Sequence, residues 1–517
     1  MNRTNLLFAM LMFMVVACAE DPETTPESNE PTEENNTTTS DVLAMPTTYG
    51  TTVDRSALTR DAVIDYGVES GTSEDQTSKL QAALDDLNKW GGGNLIIPEG
   101  EYHMYKLCMR SNVHILVSSK AVLKPYYKGY DWQQNINMIE FSYSDTSKDG
   151  QDGCELFVEN CSISCLEGEG SMYTVDFSSF YSDVENNVNL YSPMFPPSGI
   201  TYDQLIDQLY VDADGMCFVR FVRGRMVRNF LIADANIIGN YTTCCGMVFV
   251  GSDVDESLTS DWEVVCPTNG VVRDCKFTSA SHGYGLCQTH AAREILFEDL
   301  WCNGGVTLRL EAHNGGHVGL FDIYGHNIYN EYGKAAVLLQ PHSTHHGTMT
   351  IEGVTSVSSA FGVLIREGFT GSTSSGTANG TFADDCRINN INITYGVNAQ
   401  IEEKDVWTYD ESEYDTICNV RKATTTTVKN NAYIYMYEDF NQFEGASYAP
   451  VFDDTDGTYT VTCTNITYND FPAEIFDKYI KDGVIYSGDL PKASGYIWTA
   501  AYDRLSVFKD AILYYND

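Results

Sequence analysis

Three short segments near the middle of the chain hold residue types suited to proton chemistry. They read Gly285-Leu-Cys-Gln288-Thr-His290, Leu308-Arg-Leu-Glu311-Ala-His313 and Leu338-Leu-Gln340-Pro-His342. Each closes an apolar run with a polar residue, one spacer and a histidine. In a strand, residues two apart point to the same face. Gln288 therefore shares a face with His290, Glu311 with His313, and Gln340 with His342. If the segments are successive turns of a solenoid, with rungs roughly 4.8 Å apart, these pairs form a column in which one carboxylate sits between amides and imidazoles. Leu308, Leu310 and Ala312 must fill the solenoid interior, which leaves Arg309, Glu311 and His313 on the outer face. Arg366 falls on that face in a later segment.

Chemically, Glu311 suits a general acid. Shielding by neighbouring rungs raises a carboxyl pKa toward neutrality, while Arg309 acts in the opposite direction. A glycosidase needs such an acid together with a second group that activates water or attacks the sugar. Arginines bind sulfate or carboxylate through paired hydrogen bonds, so Arg309 and Arg366 are candidate substrate contacts, with Gln340 and His290 beside them. The plainer alternative is a ladder of stacked polar side chains supporting a flat sheet. The absence of Ser, Thr and Asn, the usual solvated-face residues, from this column favours a functional site.

The elements that must position these residues are short and β-rich. Apolar strand starts near Val271, Ile295, Leu320, Ile351 and Ile388 recur at a quasi-regular period above twenty residues, with Asn and Gly at the turns. Such a period indicates coils of a β-solenoid. A β-sandwich would need hairpin signals every 8–12 residues, and these are missing. Ahead of the coils, Leu80, Ala83, Leu84 and Leu87 have helical spacing and predict a short amphipathic helix. The glycines of Trp90-Gly-Gly-Gly-Asn-Leu-Ile-Ile-Pro-Glu-Gly100 end it, and a buried strand with a Pro/Gly turn follows. This opening resembles the N-terminal cap of the pectin-lyase-like right-handed parallel β-helix, which implies an all-β solenoid with a capping helix and inserted loops or small accessory subdomains.

Around the candidate site the resemblance is narrower. Gly283-Tyr-Gly-Leu-Cys-Gln288 followed by Gly304-Gly-Val-Thr-Leu-Arg-Leu-Glu311 resembles the core of the iota-carrageenase family of inverting glycoside hydrolases over about 150 residues. The resemblance implies Glu311 as proton donor, Gln288 as holder of the catalytic water and His342 as a supporting histidine. It also implies a sulfated red-algal galactan as substrate, with iota-carrageenan foremost, and cleavage of β-1,4 linkages. That family usually has Asp as general base two residues after the Glu, where this chain has His313. A neutral imidazole also deprotonates water near neutral pH. The position thus holds a histidine base, or the base is recruited from elsewhere, or the activity is lost. No cofactor is implied, and no metal site is marked in the sequence, although structural Ca2+ or other ions accompany this fold class.

Residues 1–18 pair a basic start with a short apolar run ending Val15-Val16-Ala17-Cys18. This predicts a lipoprotein signal peptide, with Cys18 as the lipidated residue and the outer membrane as the address. Residues 19–50 predict a disordered tether. A catalytic β-helix is expected over 51–402, with an insertion at about 128–215, and an accessory region with the last coils over 403–517. The net charge of −41 excludes nucleic acid as a partner. It opposes an anionic substrate only weakly, because salt screens the field within about 8 Å. A monomer is expected. The cysteines read mainly as buried thiols with a few disulfides, since Cys275, Cys287 and Cys302 sit inside apolar strands.

Two rival readings remain at this level. One is another polysaccharide-cleaving β-helix enzyme acting on pectin or a uronate. Its hydrolase form fails on motif order, since Asp384-Asp385 follows His282-Gly283 and no Asn-Thr-Asp or Arg-Ile-Lys is present. Arg309 and Arg366 keep a lyase form open. The other rival is a surface lipoprotein that binds glycan without cutting it.

Overall fold

The computed structural model describes residues 58–126, 136–142, 154–178, 219–239, 245–251, 266–312, 318–370, 378–402, 442–472 and 479–489. The signal segment with Cys18, the tether, most of the expected insertion and accessory region, and His313 lie outside the described residues.

Among the described residues, alternating or continuous apolar runs, too short for helices, pair in parallel into a 23-stranded sheet. Three rows of strands run through it. One begins at Leu58–Asp61 and passes through Gly93–Ile97, Val113–Val117, Val158–Cys165 and Val227–Ala233. It continues through the first halves of two long strands, Thr268–Thr289 and Ala292–Glu311, then Leu320–Glu331, Met349–Val357, Arg387–Thr394 and Thr462–Asn469. The five strand starts read from the sequence fall in five successive strands of this row. Parallel pairing of this kind requires each chain segment to cross over before it returns, and the result is a parallel β-helix. The neighbouring row runs from Gly100–Met104 to Ala235–Ile238 and the middle of Thr268–Thr289.

The third row bears the candidate site. It stacks Ile136–Phe141, Val219–Gly224, Met247–Phe249, the ends of the two long strands, Ala335–Gln340, Phe361–Arg366, Ala449–Asp454 and Val484–Tyr486. The interior is a continuous apolar stack. Phe141, Phe230, Phe249 and Phe297 meet with ring centroids about 6 Å apart and are fully buried. Cys275, Cys287 and Cys302 are buried free thiols, and Cys108 is bonded to Cys154.

One corner of the coils needs a left-handed residue at the same place in successive turns. Asp274, Asp299, Asn327, Gly353, Asn390 and Asn465 all have φ between 51° and 81°. Asn, Asp and Gly are the residues that tolerate this region. The Asn327 amide donates to Asp299 Oδ1 at 2.8 Å, tying one turn to the next. The predicted helix is present as Thr77–Lys89. Leu80, Ala83, Leu84 and Leu87 are fully buried and belong to the main core.

Candidate active site

The third row places the polar residues on its outer face, but with a stagger that the repeating pattern does not show. Cys287 lies against Leu308 and Thr289 against Leu310, so Gln288 is opposite Arg309 rather than Glu311. Glu311 is opposite Gln340 on one side and, one residue past the last pair Thr289–Leu310, His290 on the other. The single column expected from the sequence is therefore two adjacent columns, one with Gln288 and Arg309 and one with His290, Glu311, Gln340 and Arg366. Apolar residues set this register, because a shift by one would expose the interior set. Gly285 fixes it further. It faces Val306 so closely that a Cβ there would run into the Val306 backbone.

The stagger brings the side chains together on Glu311. Gln288 Nε2 donates to Glu311 Oε1 at 2.5 Å. Cys245 Sγ donates to the same amide's oxygen at 3.4 Å, which turns its NH2 toward the carboxylate. Arg309 Nη2 lies 2.8 Å from Glu311 Oε2. His342 Nε2 stands 3.6 Å from that oxygen and His290 Nδ1 4.0 Å from Oε1. Both imidazoles are within electrostatic reach but beyond a hydrogen bond. The Glu311 side chain is 3% exposed and that of Arg309 19%. Solvent therefore meets the guanidinium and hardly touches the carboxylate.

Burial pushes the Glu311 carboxyl upward, as its position in the stack predicts. The Arg309 charge opposes burial, aided by His342, His290 and the Gln288 hydrogen bond, and the opposing set wins. The carboxyl is held well below the usual carboxylate range, so Glu311 is an anion in the ligand-free protein.

The remaining candidates occupy distinct places. His342 follows Pro341 in a left-handed turn. Its carbonyl accepts from the Phe369 and Gly380 amides at 2.8 Å, and its ring lies 4.5 Å from that of Phe369. Gln340 is half-buried beside Glu311. Arg366 is in line with the site but is paired with Asp454 at 3.0 Å. Sequence reasoning missed three contributors. Tyr284 lies under the Arg309 guanidinium at 5.3 Å, Cys245 orients Gln288, and Asp454 holds Arg366. Tyr284 sits within the glycine-flanked motif and was in principle legible, but nothing local ties Cys245 or Asp454 to the site. Among the described residues no group of three or more His, Cys, Asp or Glu could hold a metal ion.

A parallel β-helix with a buried, ion-paired carboxylate on one outer face is a solenoid with a candidate acid–base group on its flank. Comparison with known proteins narrows the class. No family model matches the chain. Two iota-carrageenases are similar in sequence. That of Zobellia galactanivorans is 28% identical over 319 residues, covering 60% of this chain and 53% of that protein. That of Alteromonas macleodii is 29% identical over 315 residues, with the same coverage. The chain thus spans about half the length of the curated relatives it matches. Among solved structures, a 1,3-α-1,4-β-D-galactose-4-sulfate-3,6-anhydro-D-galactose-2-sulfate 4 galactohydrolase superposes with a TM-score of 0.62 at 22% identity, covering 89% of this chain and 97% of that one. An iota-carrageenase complexed to iota-carrageenan fragments gives 0.60 at 21% identity, covering 89% and 98%. The chain is a relative of the iota-carrageenases and shares their fold.

Proposed function

We propose that the protein is a glycoside hydrolase cutting β-1,4 linkages of a sulfated red-algal galactan, iota-carrageenan foremost, with inversion at the anomeric carbon. The observation that carries this reading is the enclosure of Glu311. One buried carboxylate is approached by Gln288, Arg309, His290 and His342 on a face otherwise built of sheet. A solvated ladder would leave its carboxylate exposed. Sequence similarity to two iota-carrageenases supports the substrate class.

In this reading Glu311 delivers the proton to the leaving oxygen and Gln288 holds the attacking water. His313, two residues on, takes the base position and removes that water's proton. His342, anchored through its own backbone, positions the substrate. His290 and Gln340 contact the sugar, and Arg309 and Arg366 meet sulfates. Cys18 carries the lipid that holds the protein, as a monomer, to the outer membrane. Palmitate labelling that disappears in Cys18→Ser checks this part.

The test is reducing-end release by the purified protein on iota-, kappa- and lambda-carrageenan and on pectate. Cleavage of iota-carrageenan is the expected result. Cleavage of pectate alone would transfer the site to uronate chemistry. Binding of a carrageenan without cleavage would make the protein a glycan-binding surface protein, the reading that His313 in place of the family's Asp favours.

A further inference from the structure

An acid catalyst must carry a proton when the substrate is bound, yet the only strong cation in direct contact with Glu311 among the described residues keeps it ionised. The geometry around that contact suggests how the conflict is resolved. Arg309 and Glu311 differ in exposure, 19% against 3%. An anion approaching this face therefore meets the guanidinium before the carboxylate. The guanidinium is held from below by the Tyr284 ring at 5.3 Å, a contact that does not require the carboxylate. Its lateral neighbours in register are Gln288 and Leu338, neither of which is charged.

We propose that a sulfate of the substrate draws Arg309 away from Glu311, and that the carboxyl takes up a proton only in the complex. This rests on the hydrolase reading and adds that the sulfate is a trigger as well as a handle. The balance is simple. Arg309 exchanges one anionic partner for another and keeps its charge, while Glu311 goes from −1 to neutral by gaining one proton from solvent. Burial then favours the neutral carboxyl. Gln288 and Gln340 are neutral, and Cys245 reaches the carboxylate only through Gln288. His290 and His342 stand at 4.0 and 3.6 Å, where their protonation would oppose the uptake.

The experiment is calorimetric titration of the protein, near neutral pH, in two buffers of different ionisation enthalpy. The ligand is the sulfated oligosaccharide left after the protein has digested iota-carrageenan to completion, with its chemically desulfated form for comparison. Uptake approaching one proton per bound sulfated ligand is expected. None is expected for the desulfated form. Glu311→Gln should bind the sulfated ligand with that uptake lost. Binding without uptake, or uptake that persists in Glu311→Gln, overturns the hand-off and leaves the hydrolase reading standing. Failure to digest or bind the galactan at all overturns both.

Discussion

Arg309 and Glu311 lie two residues apart on one strand, and their side chains meet, Nη2 at 2.8 Å from Oε2. The pair sets the charge of the site before any substrate arrives. It also links the site to acid stability. The folded-state pKa of Glu311 is depressed, so its contribution is fully present above the unfolded value of about 4.3. That contribution is lost as pH falls through the folded value. The urea midpoint should therefore fall between about pH 4.5 and 2, and the fall should be shallower in Glu311→Gln. Equal slopes for the two proteins would show that the pair contributes nothing to folding.

Glu311→Gln is nearly isosteric and sits on an outer face, so it should leave the fold intact. As loss of a general acid it should lower kcat by about 10²–10⁴-fold. Circular dichroism and reducing-end kinetics on the same preparation separate these effects. Retained turnover by the folded variant removes Glu311 from the mechanism.

The strand starts and the helix were legible in the sequence because each rests on local periodicity, as Leu80, Ala83, Leu84 and Leu87 show by being buried together. Glu311, Gln288, His290 and His342 were legible as one cluster for the same reason. Their register was not. Whether Gln288 faces Glu311 or Arg309 depends on how many residues the intervening coil uses, and the irregular pairing between Phe277 and Gly285 hides that number. The direction of the Glu311 shift was equally hidden. Burial and Arg309 oppose each other, and only the 2.8 Å contact decides between them. The Arg366–Asp454 pair joins residues far apart in the chain that only the stacked coils bring together.

Gly285 is the backbone point on which the register turns. Gly285→Ala forces a Cβ into the Val306 backbone, and overpacking of this kind costs about 1–3 kcal/mol. Thermal denaturation should register the loss, and turnover should fall as well, since Gln288 sits three residues on. An alanine variant with unchanged stability and activity would place the register elsewhere.

His346 offers a second pH signal, distinct from the Glu311 pair. It is buried against Phe382, and its Nδ1 accepts from the Leu320 amide at 2.9 Å. Burial lowers its pKa to about 3, with His342 and His345 adding to the effect. A depressed histidine favours the unfolded state once that state protonates. Stability should accordingly be level above about pH 6.5 and fall below it by up to about 1.4 kcal/mol per pH unit. His346→Phe should flatten the profile between about pH 6.5 and 5 in chemical denaturation.

In the proposed reaction Glu311 protonates a β-1,4 linkage of a sulfated galactan while water attacks from the opposite face. Proton NMR of the first anomeric signal released from iota-carrageenan reads out this stereochemistry. Inversion of a β linkage predicts that the α anomer appears first and the β anomer only through mutarotation, with both appearing about 10²–10⁴-fold more slowly in Glu311→Gln. A β anomer at the earliest times, or release by Glu311→Gln at an undiminished rate, would rule out this mechanism.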